Sequence, residues 1–160
     1  MEPIGFEQHD HDACIADGVA AAADHCRREG LQLTPVRKRV LEILLQRHCA
    51  MGAYEILDIL REEGLGSQPP VAYRALDFLV KHGFVHKIEK LNAFTACSHP
   101  GEAHSPAFLI CRGCKLVAEA IAAPDKGRLA GAAQKVGFTI EKIVVEAEGL
   151  CANCQAETSA

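Results

Sequence analysis

An α+β chain in two unequal parts is predicted by three features of the sequence. Apolar residues recur at helical spacing as far as Gly83 and alternate after it. A short stretch, "PGEAHSP", carries Pro100, Gly101 and Pro106 and interrupts both patterns, which predicts a hinge over 99–106. Two C-x-x-C pairs, Cys111/Cys114 and Cys151/Cys154, bracket the part of the chain beyond that hinge.

Each element has a local reason. Residues 13–29 read as an alanine-rich helix closed by Gly30. Thr34 is a good N-cap and Pro35 suits a first helical position, so a second helix opens there. Val36, Val40, Ile43 and Leu44 form its apolar stripe. "MGAYEILDILREEG" gives a third helix with Ile56, Leu57, Ile59 and Leu60 inward and Gly64 as its stop. "GSQPP" links it to a fourth, "VAYRALDFLVKHG". "FVHKIEK" and "NAFTACSH" are two short strands joined by a tight turn near Leu91 and Asn92.

Helices followed by a β-hairpin predict a winged helix-turn-helix over residues 13–98, after an acidic, disordered tail at 1–12. A small α/β domain is expected over 107–155, with strands "AFLIC" and "KLVAEA" and a helix near "DKGRLAGAAQKVG". Its longest strand would be "FTIEKIVVEAEG", and a tail is expected at 156–160.

Composition narrows the function classes. With 49% apolar and 24% charged residues the 160-residue chain is globular, and with only 5% aromatics a small subdomain has a thin core that needs a staple. No run of eighteen apolar residues exists, and "MEPIGFEQHDHDAC" lacks the basic and apolar regions of a signal peptide, which predicts a cytoplasmic protein with no membrane partner. The net charge of −4 is uneven: residues 1–26 hold six acids and no Lys or Arg, whereas 27–91 hold eleven basic residues against eight acids. A basic middle is compatible with nucleic-acid binding.

In a reducing compartment, paired C-x-x-C spacing points to metal or redox chemistry more than to disulfides. Four thiolates satisfy a closed tetrahedral zinc site, and zinc at Cys111, Cys114, Cys151 and Cys154 would tie together the two ends of a roughly 50-residue fold. The alternative is a thioredoxin-like dithiol, which belongs at a helix N-terminus, whereas these pairs are expected to flank strands. Four more ligand types, His86, Cys97, His104 and Glu119, bracket the hinge. Two neutral imidazoles, a thiolate and a carboxylate would balance Zn²⁺ at zero net charge.

At "LTPVRKRVLEIL", "AYEILDILREEG", "PPVAYRALDFLVKHGFVHKIE", "FLICRGC" and the terminal "CANC", the chain resembles the ferric uptake regulator family, in its zinc-responsive branch, the zinc uptake regulators. The resemblance covers about residues 30–155. It implies a homodimeric repressor, not an enzyme, that binds double-stranded DNA at an inverted-repeat operator and shuts off zinc-acquisition genes when loaded. It also implies two zincs per chain: a structural one at the four cysteines of the C-x-x-C pairs, and a regulatory one at His86, Cys97, His104 and Glu119. The segment 107–155 would be the dimerisation domain.

The fourth helix would then enter the major groove, with Tyr73 and Arg74 as base contacts. Arg37, Lys38, Arg39 and Lys87 would reach phosphates, and Tyr54 backbone or base. The sequence departs from the family in three places. "CSHPGEAHSP" lacks the histidine-rich segment of the iron-sensing branch, "LTPVR" replaces "LTPQR", and Val71 stands where a threonine hydroxyl would reach a phosphate. His99 is an alternative regulatory ligand, and His9, His11 and Cys14 form a separate set of ligand types. The rival readings are a regulator of iron, manganese or nickel, and a zinc-ribbon redox or hydrolytic protein.

Overall fold

The computed structural model describes residues 11–47, 49–100, 104–122 and 127–159; the acidic start with His9 and the hinge residues 101–103 lie outside them. Four helices come first: α1 (His11–Glu29), α2 (Pro35–Leu45), α3 (Ala53–Glu62) and α4 (Pro69–Lys81). Thr34 has extended backbone, and its hydroxyl accepts the Arg37 N–H at 3.3 Å, which caps α2 as expected. α4 begins at Pro69, two residues before the expected Val71, because prolines fit a first turn whose N–H groups have no intrahelical acceptor. Strands β1 (Val85–Ile88) and β2 (Ala93–Ala96) come next as an antiparallel hairpin, from Val85↔Ala96 to Ile88↔Ala93. Asn92 takes the left-handed conformation (φ 46°) in its turn.

The first half is held by one apolar core. Leu41 and Leu44 of α2, Ile56, Leu57 and Leu60 of α3, and Leu76 and Leu79 of α4 are fully buried against Phe84, Val85 and Phe94 of the hairpin. Since Phe84 and Val85 belong to this core, the hairpin and α4 are parts of one packed unit.

The second half contains β3 (Ser105–Cys111), β4 (Val117–Ala122), α5 (Arg128–Lys135), β5 (Val145–Gly149) and α6 (Ala152–Thr158). The sheet order is β4-β3-β5, with β4 antiparallel and β5 parallel to β3. Three expectations change here. β3 starts at Ser105, inside the expected hinge, because Ser105 and Pro106 already pair with Ala122 and Ile121. The long strand expected from Phe138 begins only at Val145; its pairing starts at Ala107↔Val145, and the preceding Pro106 has no N–H for a ladder. Finally, α6 runs to Thr158, through most of the expected tail.

A second, small apolar cluster joins the halves: Ile88 of β1 with Phe108, Ile110 and Val117 of the sheet, and Ala50 at its edge. By contrast, α5 buries only Ala133. Among the described residues no helix is long and apolar enough to cross a membrane.

The core assignment predicts unequal costs along one helix face. Leu76→Ala should destabilise the protein by about 2–5 kcal/mol in chemical denaturation. Val80→Ala, one turn on and 38% exposed, should cost less than about 1 kcal/mol.

Candidate metal centres and nucleic-acid surface

Cys111 ends β3 and Cys114 lies in the turn after it; Cys151 is the N-cap of α6 and Cys154 sits in its first turn. The second pair therefore follows a strand, β5, as the sequence suggested, and also opens a helix, which the sequence did not. The fold brings both pairs together: the four sulfurs lie within 4.8 Å of one another, and Cys114 and Cys151 are 3.8 Å apart. Ligands around a tetrahedral zinc, with Zn–S about 2.3 Å and Zn–N about 2.0 Å, stand about 3.3–3.8 Å apart, so the residues fit such an ion.

The electrostatics of the thiols agree with that fit. Backbone N–H groups of Cys114 and Cys151 hold the Cys111 thiol down at about 6. Hydrogen bonding among the sulfurs, first from Cys151 and then from Cys111, pushes Cys154 up to about 12. Without a cation Cys111 therefore gives up its proton more readily than Cys114 or Cys154.

The second cluster spans the two halves. His86 lies on β1, Cys97 just after β2, His104 just before β3, and Glu119 on β4. One atom of each falls within 4.8 Å of the others. Glu119 Oε1 is 2.7 Å from His104 Nε2 and 3.2 Å from His86 Nε2, and Cys97 Sγ lies 3.5 Å from His104 Nε2. His86 Nε2 is buried and, despite its nearness to Glu119, is not aligned for a hydrogen bond. A buried, unsatisfied ring nitrogen aimed into a cluster of thiol, imidazole and carboxylate suits a borderline cation.

Burial works to raise the Glu119 pKa, but contacts with His86, the Ser98 N–H and His104 outweigh it and bring it down to about 2. The Ser98 bond, 2.8 Å to Oε2, leaves Oε1 facing the other ligands. Glu119 thus offers an ionised carboxylate at any physiological pH.

Sequence reading had no means to find Ser98, which acts through its backbone. His99, the alternative ligand, stays outside the cluster of four. Its N–H donates to Cys97 Sγ at 3.3 Å, and its buried Nδ1 has no hydrogen bond. Cys14, at the start of α1, lines a cavity of about 240 Å³ with Asp17 and Cys97, while His9 lies outside the described residues. The side chain of His11 is likewise not described.

Elsewhere on the first half, Tyr54 lies at the start of α3 and is 63% exposed; Tyr73 on α4 is 40% exposed. Both line a cleft of about 450 Å³ with Lys87 and Asn92 of the hairpin and with Asp77 and Glu55. Arg74 is exposed and forms no ion pair with Asp77 among the described residues, which leaves its guanidinium available. Arg37 is more committed: it lies 3.7 Å over the Phe78 ring and donates to the Gln32 carbonyl at 2.6 Å. Lys38 and Lys87 sit 3.9 and 3.8 Å from Glu42 and Glu89, pairs too exposed to hold them strongly. Arg39 is taken by Glu63 and Glu42 at 2.7 and 3.3 Å.

A winged helix-turn-helix joined through a ligand cluster to a small α/β domain defines a metal-dependent transcription regulator. The chain belongs to the ferric uptake regulator family, whose model matches residues 28–148. It is 39% identical over 137 residues to the zinc uptake regulation protein of Escherichia coli (strain K12), covering 85% of this chain and 80% of that one. Its structure is similar to that of a zinc uptake regulator complexed with zinc and DNA, with a TM-score of 0.85 and 37% identity over 91% of this chain and 98% of the other. The holo structure of XcZur matches with a TM-score of 0.78 and 42% identity, covering 88% and 98% of the two chains. The apo structure of XcZur, at 41% identity over 89% and 99%, reaches only 0.51. At equal sequence similarity, the shape of this chain is nearer the holo form.

The four-cysteine knuckle carries its own prediction. A Cβ at Gly113 would stand 2.9 Å from Cys154 Sγ and 3.2 Å from Cys154 Cβ. Gly113→Ala should therefore displace the Cys154 sulfur and weaken any metal held here by about 10–100-fold, read by transfer to a chelator.

Proposed function

We propose that this protein is a zinc-responsive DNA-binding repressor of zinc-acquisition genes, acting as a homodimer on an inverted-repeat operator. The observation that carries it is the cluster His86, Cys97, His104 and Glu119, in which two ligands come from each side of the hinge. The proposed division is a winged-helix domain over 13–98, a hinge at 99–106 and a dimerisation domain over 107–155. Two zincs per chain are proposed, one structural at Cys111, Cys114, Cys151 and Cys154, and one regulatory at the cluster.

Zinc, when bound, supplies a doubly positive charge and four directed bonds. The chain does the rest. His86 and Cys97 move with the hairpin and α4, whereas His104 and Glu119 are fixed to the sheet of the other half. Ligand demand from both sides selects one hinge angle, and in a dimer that angle sets the separation of two α4 helices. Any preference of DNA for that separation is matched by tighter zinc binding on DNA. The Cys97 thiolate favours zinc over manganese or iron.

A second copy of the chain has a surface to occupy. Leu129 and Val136 around α5, with Phe138 after it, are exposed, and α5 faces residues 138–143 across a hollow of about 570 Å³. Exposed apolar side chains grouped beside a domain with a thin core support burial against a partner.

Two measurements test this reading. Cys97→Ser or His104→Ala should leave one zinc per chain and an intact dimer, while operator affinity falls to the metal-free level at zinc concentrations that saturate the parent. Tight operator binding by Cys97→Ser after the weaker metal is stripped would place the switch elsewhere, and a metal-free chain with a reversible disulfide would favour the redox reading. On DNA, Arg74→Ala should cost about 1–3 kcal/mol on the operator and much less on random sequence. Lys87→Ala should weaken both alike and lower the salt slope by about one unit.

A further inference from the structure

Besides the ligand cluster, a second group of polar contacts joins the hairpin to the sheet, and it contains no metal ligand. Glu146 of β5 closes on the hairpin turn: its Oε1 accepts the Glu89 N–H at 2.6 Å and its Oε2 accepts the Lys90 N–H at 2.9 Å. Two successive backbone N–H groups meeting one carboxylate make a charge-assisted, bidentate contact. Two exposed ion pairs flank it, Lys142–Glu89 at 3.2 Å and Lys90–Glu148 at 3.3 Å, and such pairs are individually weak.

Strand register makes Glu146 and Glu119 parts of one row. Phe108 of β3 pairs with Glu119 on β4 and with Glu146 on β5. Directly opposed residues share a face of the sheet. The row Glu119–Phe108–Glu146 therefore meets the hairpin at three successive points. Glu119 meets His86; Phe108 packs with Ile88 and lies 5.7 Å from the His86 ring; Glu146 takes the N–H groups of Glu89 and Lys90. β1 is laid along this row in sequence order.

Contacts at one end of the row fix a point but leave the hairpin free to swivel about it. A contact at the other end fixes the direction. We infer that Glu146 is a positioning residue, a metal-independent latch that sets the orientation of the hairpin, and with it α4, in the closed form. The inference rests on reading the His86, Cys97, His104 and Glu119 cluster as the zinc switch. A contact made only in the closed form stabilises that form, and by linkage it tightens any ligand that requires it.

The test compares the parent with E146A, E146Q and the control E148A, which removes a neighbouring β5 carboxylate but no backbone contact. The readouts are zinc affinity of the weaker site against a competing chelator, and amide hydrogen exchange at Glu89 and Lys90. E146A should keep the four-cysteine zinc and the metal-free melting temperature, and should bind the second zinc about tenfold more weakly. Its Glu89 and Lys90 amides should exchange freely with zinc present, where those of the parent are protected. E146Q, which keeps one acceptor oxygen, should fall between, and E148A should stay within about twofold of the parent. Parent-like zinc affinity in E146A with protected amides would overturn the latch alone. A metal-free melting temperature lowered in E146A would also overturn it, since the residue would then serve the fold and not the closed form. A parent with no weaker zinc site would overturn the switch and the latch with it.

Discussion

Glu119 imposes the constraint on which the arrangement of the halves depends. It is a buried carboxylate with its pKa brought down to about 2, so it stays charged inside the protein. A buried charge is tolerable only while it is paired and hydrogen-bonded. Its sheet neighbours cannot do this: Ala118 and Ala120 flank it on β4, and Phe108 opposes it on β3. Its partners come from the other half, His86 on β1 and the Ser98 N–H past β2, and from His104 at the entry to β3. Separating the halves means rehydrating this carboxylate.

The first half is built to transmit whatever happens at that carboxylate. His86 is five residues beyond the end of α4, and Phe84 and Val85 between them are buried in the same core as Leu76 and Leu79. A well-packed core has few intermediate arrangements, so a displacement of β1 carries α4 with it. The small cluster around Ile88, Phe108, Ile110 and Val117 provides the apolar part of the contact, close to where the polar row lies.

Much of this was legible in the sequence, for reasons that differ by element. Helix α2 announces itself through the Thr34 cap, α3 and α4 through glycine stops, and all three through amphipathic stripes, because their burial is one-sided. The convergence of Cys111 and Cys114 with Cys151 and Cys154 could be read from spacing alone. The long strand expected from Phe138 could not be corrected from sequence, because its start is decided by Pro106 on a different strand. The placement of Cys151 at a helix cap was hidden for a similar reason, since seven residues are too few to show a period. The hinge-spanning cluster was visible as residue types, yet which of His99 and His104 joins it depends on where β3 begins. Ser98 and the latch at Glu146 were invisible, because both act through backbone N–H groups that carry no sequence signature.

The two clusters differ in what metal binding must accomplish, and that difference separates their roles. All four cysteines belong to the second half, and Cys111 and Cys151 already interact through the Cys151 N–H at 3.3 Å. Metal there would tie the end of β3 to the start of α6 in a domain whose own core is thin, and so would be coupled to folding. The second cluster is complete only when two separately packed bodies meet, so part of its binding free energy goes into holding them together. A site preassembled by local structure binds more tightly than one of comparable ligand strength that must also close a hinge. If the four-cysteine site is structural and the second site senses, as proposed, the first is expected to stay filled under conditions in which the second empties.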